Sequence, residues 1–153
     1  MSIVKAQDVA DLFLYWANRD GDLVSNLKLQ KLLYYAQAWY LVNFNGPLFS
    51  DSIEAWDFGP VISSLYGKYK RFGCNPIQYH DKAGKEEKQF SKEQLTFLSE
   101  FYDVYIGIPA HTLVNISHNE KPWIEGCGRP FKIIALKAMQ EYYTDKYEAE
   151  SDN

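Results

Sequence analysis

Residues 27–41 read LKLQKLLYYAQAWYL. Five leucines, three tyrosines, one tryptophan and two alanines share these fifteen positions with Lys28, Gln30, Lys31 and Gln37. On a helix, Leu29, Leu32, Leu33, Ala36, Trp39 and Tyr40 cover well over half the circumference. A helix apolar on so many sides is enclosed by its neighbours, not laid on a surface. The pattern therefore predicts a central helix over about 27–43, N-capped by Asn26 and ended near Asn45-Gly46-Pro47. A narrow stripe of Gln30, Tyr34, Gln37 and Leu41 remains, bordered by Lys31. Buried amides need partners. The segment Glu54–Phe58, with its Gly59-Pro60 turn, offers unpaired backbone groups for them; solvent is the alternative partner.

The flanking chain alternates between helical and turn signals. Ala6, Val9, Ala10, Phe13, Trp16 and Ala17 lie at helical spacing before the Asp20-Gly21-Asp22 break. Residues 52–58, SIEAWDF, alternate as a strand does. Gly59-Pro60 reads as a stop and a start, with Pro60 at the first helical position. The helix it opens carries Lys68, Lys70 and Arg71 in its last turns, where cations complement the helix dipole. PIQYH (76–80) is a short strand candidate, and the charged run after it, over about 80–90, reads as an exposed loop. Ser91 caps a helix over about 92–106, and Pro109 opens another. Pro122 starts one further turn, and a last helix runs from Pro130 to about Tyr143. Residues 144–153 are acidic and poor in apolar side chains, which predicts a disordered tail. The expected fold is α+β and mainly α-helical: one domain over 3–143, with a central buried helix and a small antiparallel sheet or hairpin.

Composition narrows the function classes. The chain has 153 residues, fitting one domain. Aromatic residues make up 16% of it, including twelve tyrosines and four tryptophans, and such side chains serve cores and protein interfaces alike. The net charge is −4, which disfavours nucleic-acid binding, since phosphate contact rewards a basic excess. No run approaches the ~18 apolar residues of a membrane span. Cys74 and Cys127 stand in no metal or redox spacing, pointing to free thiols in a reducing cytoplasm.

Catalytic signals are weak. His80 sits beside the charged loop. His111 and His118 are seven apart and can share a helix face, but two histidines do not make a zinc site without a third protein ligand. GCGRP (126–130) lacks the lysine of a phosphate loop. No nucleophile elbow or paired carboxylate frame occurs. The more pointed constellation is His118-Pro122-Trp123, which suits a turn that seats an indole in a pocket. The expectation is no catalytic residue, no cofactor and no metal.

LKLQKLLYYAQAWYL, then GPLF, EAWDFGPVISSLYGKYKRFG and SHNEKPW, resemble in order and spacing the Panacea domain of the SocA-like antitoxin family, which includes phage-associated GepA-type proteins. The resemblance covers most of the chain, from about Ala6 to Phe131. The matching positions include Gln30, Lys31, Tyr34, Trp39, Trp56, Gly59, Pro60, Tyr66, His118, Pro122 and Trp123. It implies a cytoplasmic bacterial antitoxin, often encoded near prophages, that neutralises a cognate toxin protein by direct binding. An adaptor delivering the toxin to the ClpXP protease is the alternative, and an enzyme using His118 a second one. Lys68, Lys70, Arg71 and Tyr79 are candidate partner contacts. The aromatic surplus would equally serve a homodimer.

Overall fold

The computed structural model describes residues 2–151. Helix α1 spans Ala6–Asp20 and α2 spans Asn26–Phe44. Fourteen of the 19 residues of α2 are buried, and α1, α4 (Lys92–Tyr105), α5 (Ala110–His118) and α7 (Leu136–Ser151) pack around it. The predicted central pillar is therefore present. Its buried leucines Leu29, Leu32, Leu33 and Leu41 each contribute roughly 1.5–3 kcal/mol of burial. The N-cap is Ser25, one residue earlier than expected: its hydroxyl accepts from the Lys28 N–H at 3.2 Å. Asn26 is instead the first helical residue, and its amide is used elsewhere.

A two-stranded antiparallel hairpin lies against α2. Strand β1 is Glu54–Trp56 and β2 is Gly59–Val61, paired as Glu54 with Val61, Ala55 with Pro60 and Trp56 with Gly59. Pro60 thus sits in the second strand, not at the start of a helix as its spacing suggested. In so small a sheet the missing N–H breaks no inner ladder, a place where proline is tolerated. The following helix, α3, begins only at Ser63 and runs to Tyr69, and a 3-10 turn continues it over Lys70–Phe72.

Other expectations shift for non-local reasons. Residues 76–80 are extended but form no strand; the Ile77 N–H bonds the Val24 carbonyl at 2.8 Å, tying them to the α1–α2 connection. The segment expected to be an exposed loop contains a 3-10 helix over Lys85–Gln89 that packs on α1. Glu87 there accepts from Trp16 Nε1 at 3.1 Å, and Glu86 is buried, accepting from the Tyr79 hydroxyl at 2.8 Å and the Lys82 N–H at 2.7 Å. Ser91 caps α4 as predicted, and Gln94 closes the capping box by accepting from the Ser91 N–H.

The C-terminal third departs most. Helix α6 spans Lys121–Gly126, but no helix begins at Pro130. A 3-10 turn over Pro130–Lys132 carries Phe131 and Lys132 at φ +57° each. The chain then runs extended so that Ile133 bridges Glu54 and the Ile134 N–H bonds the Ile53 carbonyl at 2.8 Å. Gly126 makes this possible: a Cβ there would lie 2.8 Å from Ile134 Cγ1 and 3.1 Å from Ala55 Cβ. Helix α7 does not fray after Tyr143 as the acidic composition suggested but continues to Ser151, and Lys146 on it reaches back to the buried Glu120 at 3.2 Å. Residues 152–153 of that expected tail lie outside the described residues. Cys74 is exposed, Cys127 half-buried, and both thiols are free. Among the described residues no helix is long and apolar enough to cross a membrane.

Candidate interaction site

The polar residues of α2 are structural ties, and one of them, Lys31, bonds the hairpin itself. Gln30 is fully buried. Its Oε1 accepts from the Ile62 N–H at 2.9 Å, and its Nε2 donates to Asn26 Oδ1 at 3.0 Å. Asn26 Nδ2 in turn donates to the Tyr66 carbonyl at 3.2 Å. Two amides on one helical turn thus hold the start and the body of α3, just past β2. Gln37 is equally buried but finds a different partner from the one its stripe suggested: it donates to the Phe49 carbonyl at 2.6 Å and accepts from the Leu48 N–H at 2.7 Å. The loop after α2 is pinned by that one side chain.

Lys31 is the unusual member. It is wholly buried, and its ammonium donates to the Pro60 carbonyl at 2.9 Å and lies 5.6 Å from the centroid of Phe58. Loss of solvent around the ammonium lowers its pKa to about 7. Gly59 sits directly over this side chain at φ +103°. A Cβ there would stand 2.5 Å from Lys31 Cε and 3.0 Å from Ser117 Oγ, so glycine is required both by conformation and by space. Lys28 repeats the theme at the first turn: its ammonium donates to the Ile106 and Ile108 carbonyls beyond α4, and desolvation lowers its pKa as well.

The outer side of the hairpin carries aromatic rings. Trp56 packs edge-on against Tyr66 at 4.9 Å and against Phe58 at 5.7 Å, and Phe58 lies 5.6 Å from Tyr66. All three are partly exposed. Trp123 on α6 donates its indole N–H to the Trp56 carbonyl at 2.9 Å, and His118 tilts over Trp123 with ring centroids 4.3 Å apart. Pro122 occupies the first turn of α6. The predicted His118-Pro122-Trp123 corner is therefore a brace between α5–α6 and the hairpin. His118 Nε2 is buried without a hydrogen-bond partner, and His111 is exposed on α5. Among the described residues no group of three or more His, Cys, Asp and Glu side chains is placed to hold a metal ion.

Tyr34 and Trp39 belong to a second tie that sequence reasoning missed. Glu120 is 3% exposed, and its Oε1 accepts from the Tyr35 hydroxyl at 2.6 Å and the Tyr143 hydroxyl at 2.8 Å. Tyr143 is 2.9 Å from the Tyr34 hydroxyl, and Lys146 reaches the other carboxylate oxygen. Burial raises the pKa values of Tyr34, Tyr35 and Tyr143, so these phenols stay protonated donors. Trp39 donates to the Tyr105 hydroxyl at 2.6 Å, joining α2 to α4. The one cue in the sequence was the paired Tyr34-Tyr35 on an all-apolar helix, where buried hydroxyls demand an acceptor.

The four candidate contact residues are not gathered into one patch. Lys68 is exposed and donates to Gln7 Oε1 at 2.9 Å. Lys70 and Arg71 are exposed on the 3-10 turn, Arg71 lying 4.8 Å over Phe72. Tyr79 is half-buried and engaged with Glu86. Lys70 borders a groove of about 520 Å³ floored by Leu27, Phe58 and Tyr66. Arg71 and Tyr79 border another of about 730 Å³, on the far side of Gly73–Pro76.

Comparison with known proteins places most of these residues. Residues 29–124 match the family described as antitoxin SocA-like, Panacea domain. Over 76 residues the chain is 46% identical to the protein named Antitoxin SocA from Caulobacter vibrioides (strain NA1000 / CB15N). That stretch is 50% of this chain and 39% of the relative, so the chain matches well under half of the relative's length. No solved structure matches.

Proposed function

Because the chain belongs to the antitoxin SocA-like, Panacea domain family, we propose that it is the antitoxin of a bacterial toxin–antitoxin pair and neutralises its toxin in the cytoplasm by direct protein–protein contact. The family suggests a non-enzymatic role. The observation that carries the reading is the placement of the matched residues. Lys31, Gly59 and Pro60 are buried where the hairpin meets α2, and the buried Gln30 holds the Ile62 N–H just past it. His118, Pro122 and Trp123 brace the same hairpin from the other side. Those positions build a rigid frame and leave the outer loops and aromatic rings to meet a partner, an arrangement that suits recognition by surface fit.

The test is co-expression with the product of the neighbouring reading frame. Growth rescue together with co-purification of the two chains is expected, and failure of both refutes the reading. Following the toxin's half-life in the same cells separates direct neutralisation, which leaves it unchanged or longer, from delivery to a protease such as ClpXP, which shortens it.

A further inference from the structure

We propose that the toxin docks on the face centred on Gly73–Pro76, through an acidic segment that seats apolar side chains beside Leu23 and Phe58. The inference rests on the antitoxin reading and adds to it the surface and the chemistry of the partner.

Three grooves meet on this face. The groove of about 730 Å³ shares Leu23 and Pro76 with a smaller one of about 300 Å³, which in turn shares Cys74 with the groove of about 520 Å³ beside Phe58 and Tyr66. They border the same turn of the chain from different sides. Leu23, which lines two of them, is 78% exposed, a large apolar side chain left in water without a covering element. Isolated exposed leucines are ordinary, but one that borders two grooves beside aromatic rings has the anatomy of an interface core.

Charge selects the occupant. The protein carries a net charge of −4. Yet among the described residues the lining of these three grooves includes the exposed Lys70 and Arg71 and no carboxylate. Asp22, which accepts from the Tyr102 hydroxyl at 2.8 Å, and Asp81, which accepts from Asn18 Nδ2 at 3.2 Å, lie beside the lining but are not part of it. Grooves elsewhere on the molecule do hold acids: Glu93 and Glu100 beside Lys92 in one, Glu87 and Glu100 beside Arg19 in another. Apolar grooves whose linings hold Lys70 and Arg71 and no carboxylate are complementary to a negatively charged polypeptide with apolar anchors, which the two cations would also steer during encounter. A nucleic acid shares the negative charge but would face repulsion from the rest of the molecule.

The experiment uses the full chain with the product of the neighbouring reading frame, scored by growth rescue and by the affinity of the purified pair at low and high salt. Leu23→Asp and the double variant Lys70→Glu with Arg71→Glu are each expected to weaken binding at least about tenfold while keeping the melting temperature of the parent. The double variant Lys92→Glu with Lys137→Glu makes the same change in net charge on other surfaces and is expected to bind as the parent does. Wild-type affinity is expected to fall as salt rises. If the Leu23 and Lys70/Arg71 variants rescue and bind like the parent, the docking face is overturned while the antitoxin reading stands. If the parent itself neither rescues nor binds, both fall. A fluorescein-labelled fifteen-nucleotide oligo(dT) is the third arm. Salt-dependent binding of it that these variants abolish, with toxin affinity untouched, would make the face a nucleic-acid site and overturn the proposal.

Discussion

Lys31→Met, compared with the parent across pH, tests the physics of the hairpin anchor. Lys31 is an ammonium with one carbonyl acceptor and an aromatic ring in place of water. Its pKa falls to about 7 in the folded protein, whereas an unfolded lysine titrates near 10.4. Between those values the unfolded chain holds a proton that the folded one has released. Stability therefore rises with pH across that window, at a limiting slope of about 1.4 kcal/mol per pH unit. Between pH 7 and pH 9, with the folded group half titrated at the start, the gain is about 2 kcal/mol, or roughly 4–8 °C in melting temperature for a domain of this size. Below pH 7 the group is protonated in both states and adds no slope. Above about pH 10 the buried phenols act oppositely, since unfolded tyrosines ionise first, so the measurement stops at 9.

Methionine keeps all but the last atom of the side chain's length and removes the charge. It forfeits the bond to Pro60, about 1 kcal/mol, but it also removes a buried ammonium, so the variant should fold at pH 7. Lys28 also has a lowered pKa and contributes a slope of the same sign, but it is present in both proteins and cancels in the difference. Urea titrations followed by tryptophan fluorescence at pH 7, 8 and 9 give the two curves. A parent whose stability changes by less than about 0.5 kcal/mol over that range, or a Lys31→Met variant that keeps the full rise, refutes the idea that Lys31 is confined without water.

Gly59→Ala should destabilise by about 1–3 kcal/mol from its backbone conformation alone, and by more if Lys31 cannot move aside; urea midpoints measure it. Gln37→Leu leaves the Leu48 N–H and Phe49 carbonyl buried without partners, and should cost about 1–3 kcal/mol for each group left unpaired, with faster hydrogen exchange confined to residues 47–50. Deleting residues 144–153 removes Lys146 from Glu120, so it should lower the melting temperature measurably, whereas trimming an unstructured tail would leave it unchanged.

The legible parts of the fold were those whose cause is local. Helix α2 announces itself because its apolar excess lies within fifteen consecutive residues, and no packing arrangement other than a central one buries all of them. The need for partners near Gln30 was legible for the same reason, but its bonds go to the Ile62 N–H just past β2 and to Asn26, not to the 54–60 segment. The partner of Gln37 was not, because the loop that receives it lies beyond the helix end and carries no distinctive residue. Pro60 misled because proline satisfies two rules at once, opening helices and sitting at sheet edges. Which rule applies depends on Lys31 needing a carbonyl at that point, a fact set 29 residues away. The tail misled because composition weighs residues singly, and Lys146 is held by one buried carboxylate contributed from the start of α6.

The candidate site follows the same division. The eleven matched positions are legible as a set, yet their role could not be read from residue type. The structure shows a buried lysine under a glycine and a histidine stacked on a tryptophan, and of the two only His118 was a chemical candidate in the sequence. In the structure each is bonded or packed toward the hairpin, and their common effect is to fix the orientation of Trp56, Phe58 and Tyr66. Rigid aromatic rings lose little conformational entropy on binding, so holding them in place strengthens whatever contact they make. A partner-binding surface of this kind can change at Leu23, Lys70 or Arg71 without disturbing Gln30, Lys31 or Trp123, because the exposed residues share no hydrogen bond with the interior ties. The frame and the recognition surface are then free to vary independently, and substitutions in the two groups should add in stability measurements while diverging in binding.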